Sequence, residues 1–558
     1  MESSTRSALV RQLTAAWARL GILERVFVGA FVVWAMAWVR LKLWHVGTDG
    51  WIEWDARAMG LAALRFHGSG LLASDLGADL ASAMCPPGWM ATYFVGTWFT
   101  DPYQVSRVVP FALLAFLIWQ VLAFAYVRGG PVTASATLFL VLRCPFFWDR
   151  MVGANPRAWG LPLVVAFLRY ATKQRWRAVA VVLIAQAAFY PSVLLVCAPA
   201  FLLLAASDAW RSRSLRPLAL VAGCGLVCAA LVLPTALVLD PRLGHPIHMD
   251  ELSRLAQRRI WSLYPLPTHA WTFWRAYYLA LQDDLPIALA PRVVAYHLDY
   301  GFAWAVALLF AVALVRRRIP LAMLVTAVCA VAAYLVACEV AYRLYVPDRL
   351  LHYISVPAIL LLLAPLLTET LDWLHTRRAP LCAGTLLVLF TLAANGSGLG
   401  HWPGLRDFRE RRTPITDFVG TLPVNALVAA RPDLASDLEV FSHRSTLFSG
   451  ITNAPNFSQY GLTVEKRIAG FYDAYYAASM AQVLAFTERE GVDCLVVDEL
   501  DFGPDANARS RYVEPWSHRA LALLAVMPPG RLALAHPPVE AIVFRSGSIV
   551  VLDTHLLH

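Results

Sequence analysis

Three carboxylates fall close together in "VGTDGWIEWDARA": Asp49, Glu53 and Asp55. On a helix, positions four apart share a face, so Asp49 and Glu53 line up while Asp55 points elsewhere. A carboxylate with reach and a suitable pKa takes a proton from a hydroxyl or an amine. The competing reading is ordinary polarity at a membrane surface. A fourth acid, Asp149, lies in "FFWDRMVGANPRAWG", and Arg343, Arg349 and His352 lie in "AYRLYVPDRLLHY". Other chemistries lack their residues. His245, His248 and Asp250 have no zinc spacing and read as solvated. The nine cysteines give no metal motif and no readable disulfide framework. The C-terminal part has no glycine-rich phosphate loop and no nucleophile elbow.

The elements that must position these groups are apolar. The chain has 558 residues, 59% hydrophobic and only 15% charged, with a mean hydropathy of +0.56. Soluble domains carry about 25% charged residues. An ordinary soluble enzyme and a disordered chain are both excluded. A spanning helix needs about 20 apolar residues, and eleven runs qualify: 26–44, 107–126, 131–147, 157–171, 177–190, 192–207, 217–239, 299–315, 320–338, 350–369 and 380–396. The first run lacks a small-residue cleavage site and reads as a signal anchor.

The formal net charge is +9. Its excess is explained by topology rather than by nucleic acid. Arg6, Arg11, Arg19 and Arg25 precede the first run, and alternate connections carry Arg128, Lys173, Arg175, Arg177, Arg211, Arg213, Arg216, Arg316, Arg317, Arg318, Arg377 and Arg378. Basic loops stay cytoplasmic. The N-terminus is therefore expected inside, and residues 45–106, 240–298 and everything after about 397 outside. Arg40 and Lys42 run against the rule, and either snorkel to the interface or face an anionic ligand.

Two domains are expected: a transmembrane unit over 1–396 and a soluble extracytoplasmic α/β domain over 397–558. Residues 50–67 read as an amphipathic surface helix. A second helix opens at "PPGWMATYFVGTWF", where proline suits the first turn. In the tail, "ALVAAR", "LEVFSHRSTLF", "DCLVVD" and "EAIVFRSGSIVVLD" read as strands. Residues 462–490 read as a helix ending at Gly491. Asp498, Glu499 and Asp501 read as solvated loop charges.

Asp49, "ARAMGLAALRFHGSG", "CPPGW", "VRGG", "FFWDRMVGANPRAWGLP", "FYPS" and "LYVPDRLLHYISVPAILLLLA" follow an order that resembles the GT-C class of polytopic glycosyltransferases. Within that class it resembles the mannosyltransferase and aminoarabinose-transferase superfamily. The resemblance covers roughly residues 20–370. It implies a polyprenyl-phosphate-linked sugar as donor, a lipid, glycan or protein acceptor, and inverting transfer on the extracytoplasmic face. By the same resemblance Asp49 is the acceptor-binding acid or base, with Asp55 or Glu53 as substitutes. Asp149 is a second acid for acceptor, metal or donor. Arg349 is the donor-phosphate ligand, its planar fork matching two oxygens, and Arg343 and His352 are weaker candidates beside it.

Many relatives carry an acid where this chain has Asn155, Pro156 and Arg157, which weakens a metal-site reading. No cofactor is assigned, and a divalent metal is left open. "WIEWDARA" departs from the tryptophan–aspartate–glycine signature of the oligosaccharyltransferases. Two other classes compete: a non-catalytic scaffold or lipid-binding relative, and a transporter. The Ala/Arg-rich style and the absence of organelle signals point to a bacterial inner membrane.

Overall fold

The computed structural model describes residues 22–48, 52–68, 70–143, 145–237, 240–247, 251, 319–339, 349–376, 412–453, 456–502, 516–526 and 529–558. The chain opens on α1 (Ile22–Thr48). The first loop, 45–106, then folds into α2 (Trp54–Leu64), α3 (Leu76–Met84) and α4 (Pro87–Gly96). α5 (Pro102–Arg143) follows and breaks at Gly129 and Gly130, the latter at φ +69°. Short α6 (Pro145–Met151) leads through a 3-10 turn to α7 (Gly160–Thr172), α8 (Trp176–Phe189), α9 (Pro191–Ser212) and α10 (Arg216–Leu237). α11 (Leu321–Glu339) and α12 (Arg349–Thr376) complete the described bundle.

Helices stand wherever an expected span is described, and 299–315 and 380–396 lie outside the described residues. Among the described residues three helices are long and apolar enough to cross a membrane: Pro102–Leu142, Pro191–Ser212 and Arg216–Pro234. α7, with 13 residues, is about 20 Å long at 1.5 Å per residue, short of a hydrocarbon core of about 30 Å. Leu117, Val164, Phe167, Leu183, Val196, Phe201 and Leu361 pack the centre of the bundle.

The C-terminal part contains α13 (Pro414–Thr421), β1 (Leu427–Ala429), α14 (Pro432–Ser442), β2 (Ser445–Thr446), α15 (Ser458–Tyr475), α16 (Met480–Glu490), β3 (Cys494–Asp498), α17 (Trp516–Val526), β4 (Ile542–Ser546) and β5 (Ile549–Asp553). The sheet order is β2-β1-β3-β5-β4. β1 pairs in parallel with β2 and β3, and β5 is antiparallel to β3 and β4. Successive strand residues face opposite sides. Leu495, Val497, Val550 and Leu552 therefore meet α15 and α16, while Cys494, Val496 and Val551 meet α13 and α14.

Several expectations are corrected here. "LEVFS" is helical, not a strand: Pro432 opens α14 and His443 ends it in the left-handed region, leaving only Ser445–Thr446 to pair. The expected helix over 462–490 is two helices, broken between Tyr475 and Met480, and it ends at Gly491 (φ +68°) as read. α2 is shorter than the expected 50–67 and is not amphipathic, because Ala56, Arg57 and Gly60 through Leu64, on every side of the helix, are buried. Asp498 and Asp501 are not solvated. They surround Arg431, which is 1% exposed, with Asp501 at 2.5 Å and Asp498 at 3.8 Å. Tyr475 donates to Asp501 at 3.0 Å and accepts from the Asp498 amide at 3.1 Å. Burial raises the Asp501 carboxyl to about 6 against the pull of Arg431. The cluster fills the carboxyl ends of β1 and β3, the switch point where open α/β sheets otherwise bind ligands.

The C-terminal sheet is seated on the first loop. Leu80 of α3 and Leu243 belong to its core, while Val440 and Ile451 belong to the core of the bundle. His245 is exposed, as expected, and lies 2.8 Å from Glu251 and 3.1 Å from Ser458 Oγ. Beside it Pro246 bridges Phe457. His248 and Asp250 lie outside the described residues.

Candidate functional site

Glu53 caps α2 in extended backbone (φ −65°, ψ 146°) and accepts the Ala56 N–H at 2.9 Å. Its other contacts come from the turn between α6 and α7. Asn155 Nδ2 donates to Glu53 Oε2 at 2.8 Å, and Arg157 Nη2 to Oε1 at 3.1 Å. The same guanidinium reaches Asp55 Oδ2 at 2.5 Å through Nη1. One arginine thus bridges two carboxylates of the first loop.

The turn is shaped for this contact. Gly153 has φ +81°, and a Cβ there would stand 2.7 Å from Glu53 Oε2, so glycine serves both the backbone and the close approach. α4 props the turn from behind: Trp89 Nε1 donates to the Ala154 carbonyl at 2.8 Å and the Tyr93 hydroxyl to that of Gly153 at 3.3 Å. The two rings stack at 4.0 Å. From α12, the Tyr353 hydroxyl donates to the Arg157 carbonyl at 3.4 Å. Gly160 lets Tyr353 and Tyr190 close in, since its Cβ would meet them at 2.6 and 2.8 Å.

Arg349 opens α12 one turn before Tyr353, on the same helix face. It lies near enough to Arg157 for the two positive charges to oppose each other. The structure thus gathers Glu53, Asp55, Arg157 and Arg349 from three distant segments. Burial, then the charge of Asp55, raises the Glu53 carboxyl to about 7, against Arg157 and Asn155. Asp55 is the accessible member, with 41% of its side chain exposed.

Asp49 and Arg343 lie outside the described residues. Asp149 is half-buried on α6, beside Trp148, whose ring meets Trp38 edge-on at 5.8 Å. His352 is buried with its ring 6.3 Å from Phe146. The residues that sequence reasoning left in the background are Glu53, Asn155 and Arg157. Their signal was an arginine and an asparagine set in a Gly-Ala-Asn-Pro-Arg turn before an apolar run.

Among the described residues no three His, Cys, Asp or Glu side chains converge to hold a metal. Glu53 and Asp55 instead receive a guanidinium and an amide, so these residues do not fit a divalent ion. A separate cavity between Thr172, Trp176, Asp208, Arg211 and Pro320 lies at the far end of α7, about 20 Å from Gly160, and takes no part in this group.

No family model and no curated protein matches the chain. Among solved structures it is similar to the oligosaccharyltransferase of Archaeoglobus fulgidus in its apo form, at a TM-score of 0.47 and 14% identity, over 88% of this chain and 72% of that one. It is also similar to the archaeal oligosaccharyltransferase AglB from the same organism in complex with an inhibitory peptide and a dolichol-phosphate, at 0.46 and 13%, over 90% and 72%. A third structure, tethered to an acceptor peptide containing the NVT sequon, matches at 0.46 and 13%, over 89% and 72%.

Proposed function

We propose that this chain is a membrane glycosyltransferase that moves a sugar from a polyprenyl-phosphate-linked donor to an acceptor on the extracytoplasmic face. The observation that carries the reading is the meeting of the Glu53–Asp55 pair with Arg157 and Arg349 at one end of an apolar bundle. Asp55, with an oxygen open to solvent, takes the proton of the acceptor hydroxyl or amine. The acceptor atom forms its bond to the sugar's anomeric carbon from the face opposite the phosphate. The bond from that carbon to the phosphate oxygen breaks, and polyprenyl phosphate leaves with the electron pair. Arg349 binds the phosphate and stabilises the charge that grows there. Arg157 and Asn155 hold the two acids in place. Asp49 and Asp149 are proposed as further acceptor-binding acids, and Arg343 as a further ligand of the donor phosphate.

The test is transfer from radiolabelled polyprenyl-phosphate sugars by the purified protein in lipid, with Asp55→Asn and Arg349→Ala compared at equal folding. Loss of about 100-fold or more for each supports the assignment. Undiminished transfer by both variants removes it, and donor bound without turnover by the unaltered protein assigns the non-catalytic scaffold instead.

A further inference from the structure

A second pair of acids lies where the C-terminal domain meets the first loop. Asp75 caps α3 and Glu439 stands on α14, each only 1% exposed. Both oxygens of Asp75 are occupied: Oδ1 accepts the Ala78 N–H at 2.8 Å and Oδ2 the Thr446 N–H at 3.0 Å. Burial raises the Asp75 carboxyl, while its two N–H donors pull it back down and so favour its anion over that of Glu439. Glu439 is hydrogen-bonded to Asp75, and a bond between two carboxyl groups requires a proton on one of them. That proton therefore sits on Glu439, whose carboxyl burial and the charge of Asp75 hold well above the usual range.

Facing the pair are Arg57 and Arg65 of the α2 segment, Asp79 of α3, Tyr103 of α5, Asp437 of α14, and Tyr460 and Arg467 of α15. Arg242 approaches Asp79 from the 240–247 segment. The nearest cations are already engaged. Arg57 donates to Asp437 and to the Ser436 carbonyl, and Arg65 to Asp79 at 2.7 Å and to the Leu72 carbonyl at 3.0 Å. Space is short as well: a Cβ on Gly77 would stand 2.9 Å from Glu439 Oε1 and 2.8 Å from Thr452 Oγ1. Among the described residues the nearest cations thus already pair with other carboxylates, and a second negative charge here is poorly compensated.

We propose that Asp75 and Glu439 share one proton and so latch the C-terminal domain onto the first loop, fixing the helix that carries Glu53 and Asp55. The transmission is short. Ser436, Asp437 and Glu439 lie within one turn of α14, and the first two grip Arg57, two residues beyond Asp55. The pair acts as a positioning device for the proposed transferase site. That consequence rests on the function proposed above, whereas the latch itself does not. The proton is held more tightly in the closed state than in the open one, so the latch is whole at low pH and is lost as pH rises through the raised value of the pair. With one proton linked, each further pH unit lowers the closed-to-open ratio about tenfold.

The experiment is amide hydrogen exchange of the full-length protein in lipid nanodiscs, from about pH 5 to about pH 9, read as protection factors over 72–84 and 436–453. Protection in the unaltered protein is expected to fall about tenfold per pH unit on the alkaline side. Glu439→Gln, whose amide donates to Asp75 without ionising, is expected to hold protection level across the range and to extend sugar transfer to higher pH. Glu439→Ala is expected to lose protection at every pH. A flat profile in the unaltered protein, or a Glu439→Gln profile that slopes like it, overturns the latch. Absence of transfer at every pH with the latch titrating as stated counts against the transferase reading alone.

Discussion

Glu53 should cost the folded protein stability as the medium becomes more alkaline. Its carboxyl is raised from 4.5 to about 7 by burial and by Asp55. A difference of about 2.5 pH units is worth about 3 kcal/mol, at about 1.4 kcal/mol per unit. The side chain is 10% exposed, so solvent screens little of this. The sign follows from proton counting: the unfolded chain releases the proton first, so the contribution is whole below about 4.5 and is lost as pH climbs through about 7. The assay is denaturant unfolding in bicelles at stepped pH, for the unaltered protein and for Glu53→Gln. The glutamine carbonyl still accepts from Ala56 and Asn155. Subtracting the two curves removes the Asp75–Glu439 contribution, which runs in the same sense. The unaltered protein should lose about 3 kcal/mol more than the variant across that window. Parallel curves would refute the buried, proton-binding Glu53.

Gly153→Ala forces a side chain onto a backbone at φ +81° and against Glu53; a loss of about 1–3 kcal/mol is expected, with sugar transfer falling alongside, checked by unfolding and by transfer assay. Arg157→Met leaves Asp55 without its cation and removes a pull that lowers the Glu53 carboxyl; Glu53 then keeps its proton to higher pH, and transfer should fall without recovering in acid, as a pH–rate profile would show. Arg431→Met strands Asp498 and Asp501 in the sheet domain; a cost of about 3–5 kcal/mol is expected, read as early exchange of β1 and β3 amides while the bundle stays protected.

What the sequence made legible was local. Apolar runs place the helices because lipid and core both select them, proline marks the start of α4 at Pro87, and Gly491 ends α16 where a left-handed residue is needed. "LEVFS" misled because β-branched and aromatic residues also suit a helix once Pro432 starts it and tertiary packing buries one side. Asp498 and Asp501 read as loop charges because nothing in their neighbourhood announces Arg431, some 70 residues earlier. The site divides in the same way. Asp55 and Arg349 were singled out by type and place, but the bridge from Arg157 to Glu53 spans 104 residues, and no periodicity encodes such a meeting.

The leucines that α3 and the 240–247 segment lend to the C-terminal sheet bear on how the molecule is made. Leu80 and Leu243 are delivered hundreds of residues before the strands that cover them. A ribosome therefore finishes the donors long before the recipient, and the final sheet closes only around partners already made. Cut free and expressed alone, the last segment would present a greasy socket to water, and it should clump rather than behave as an independent module.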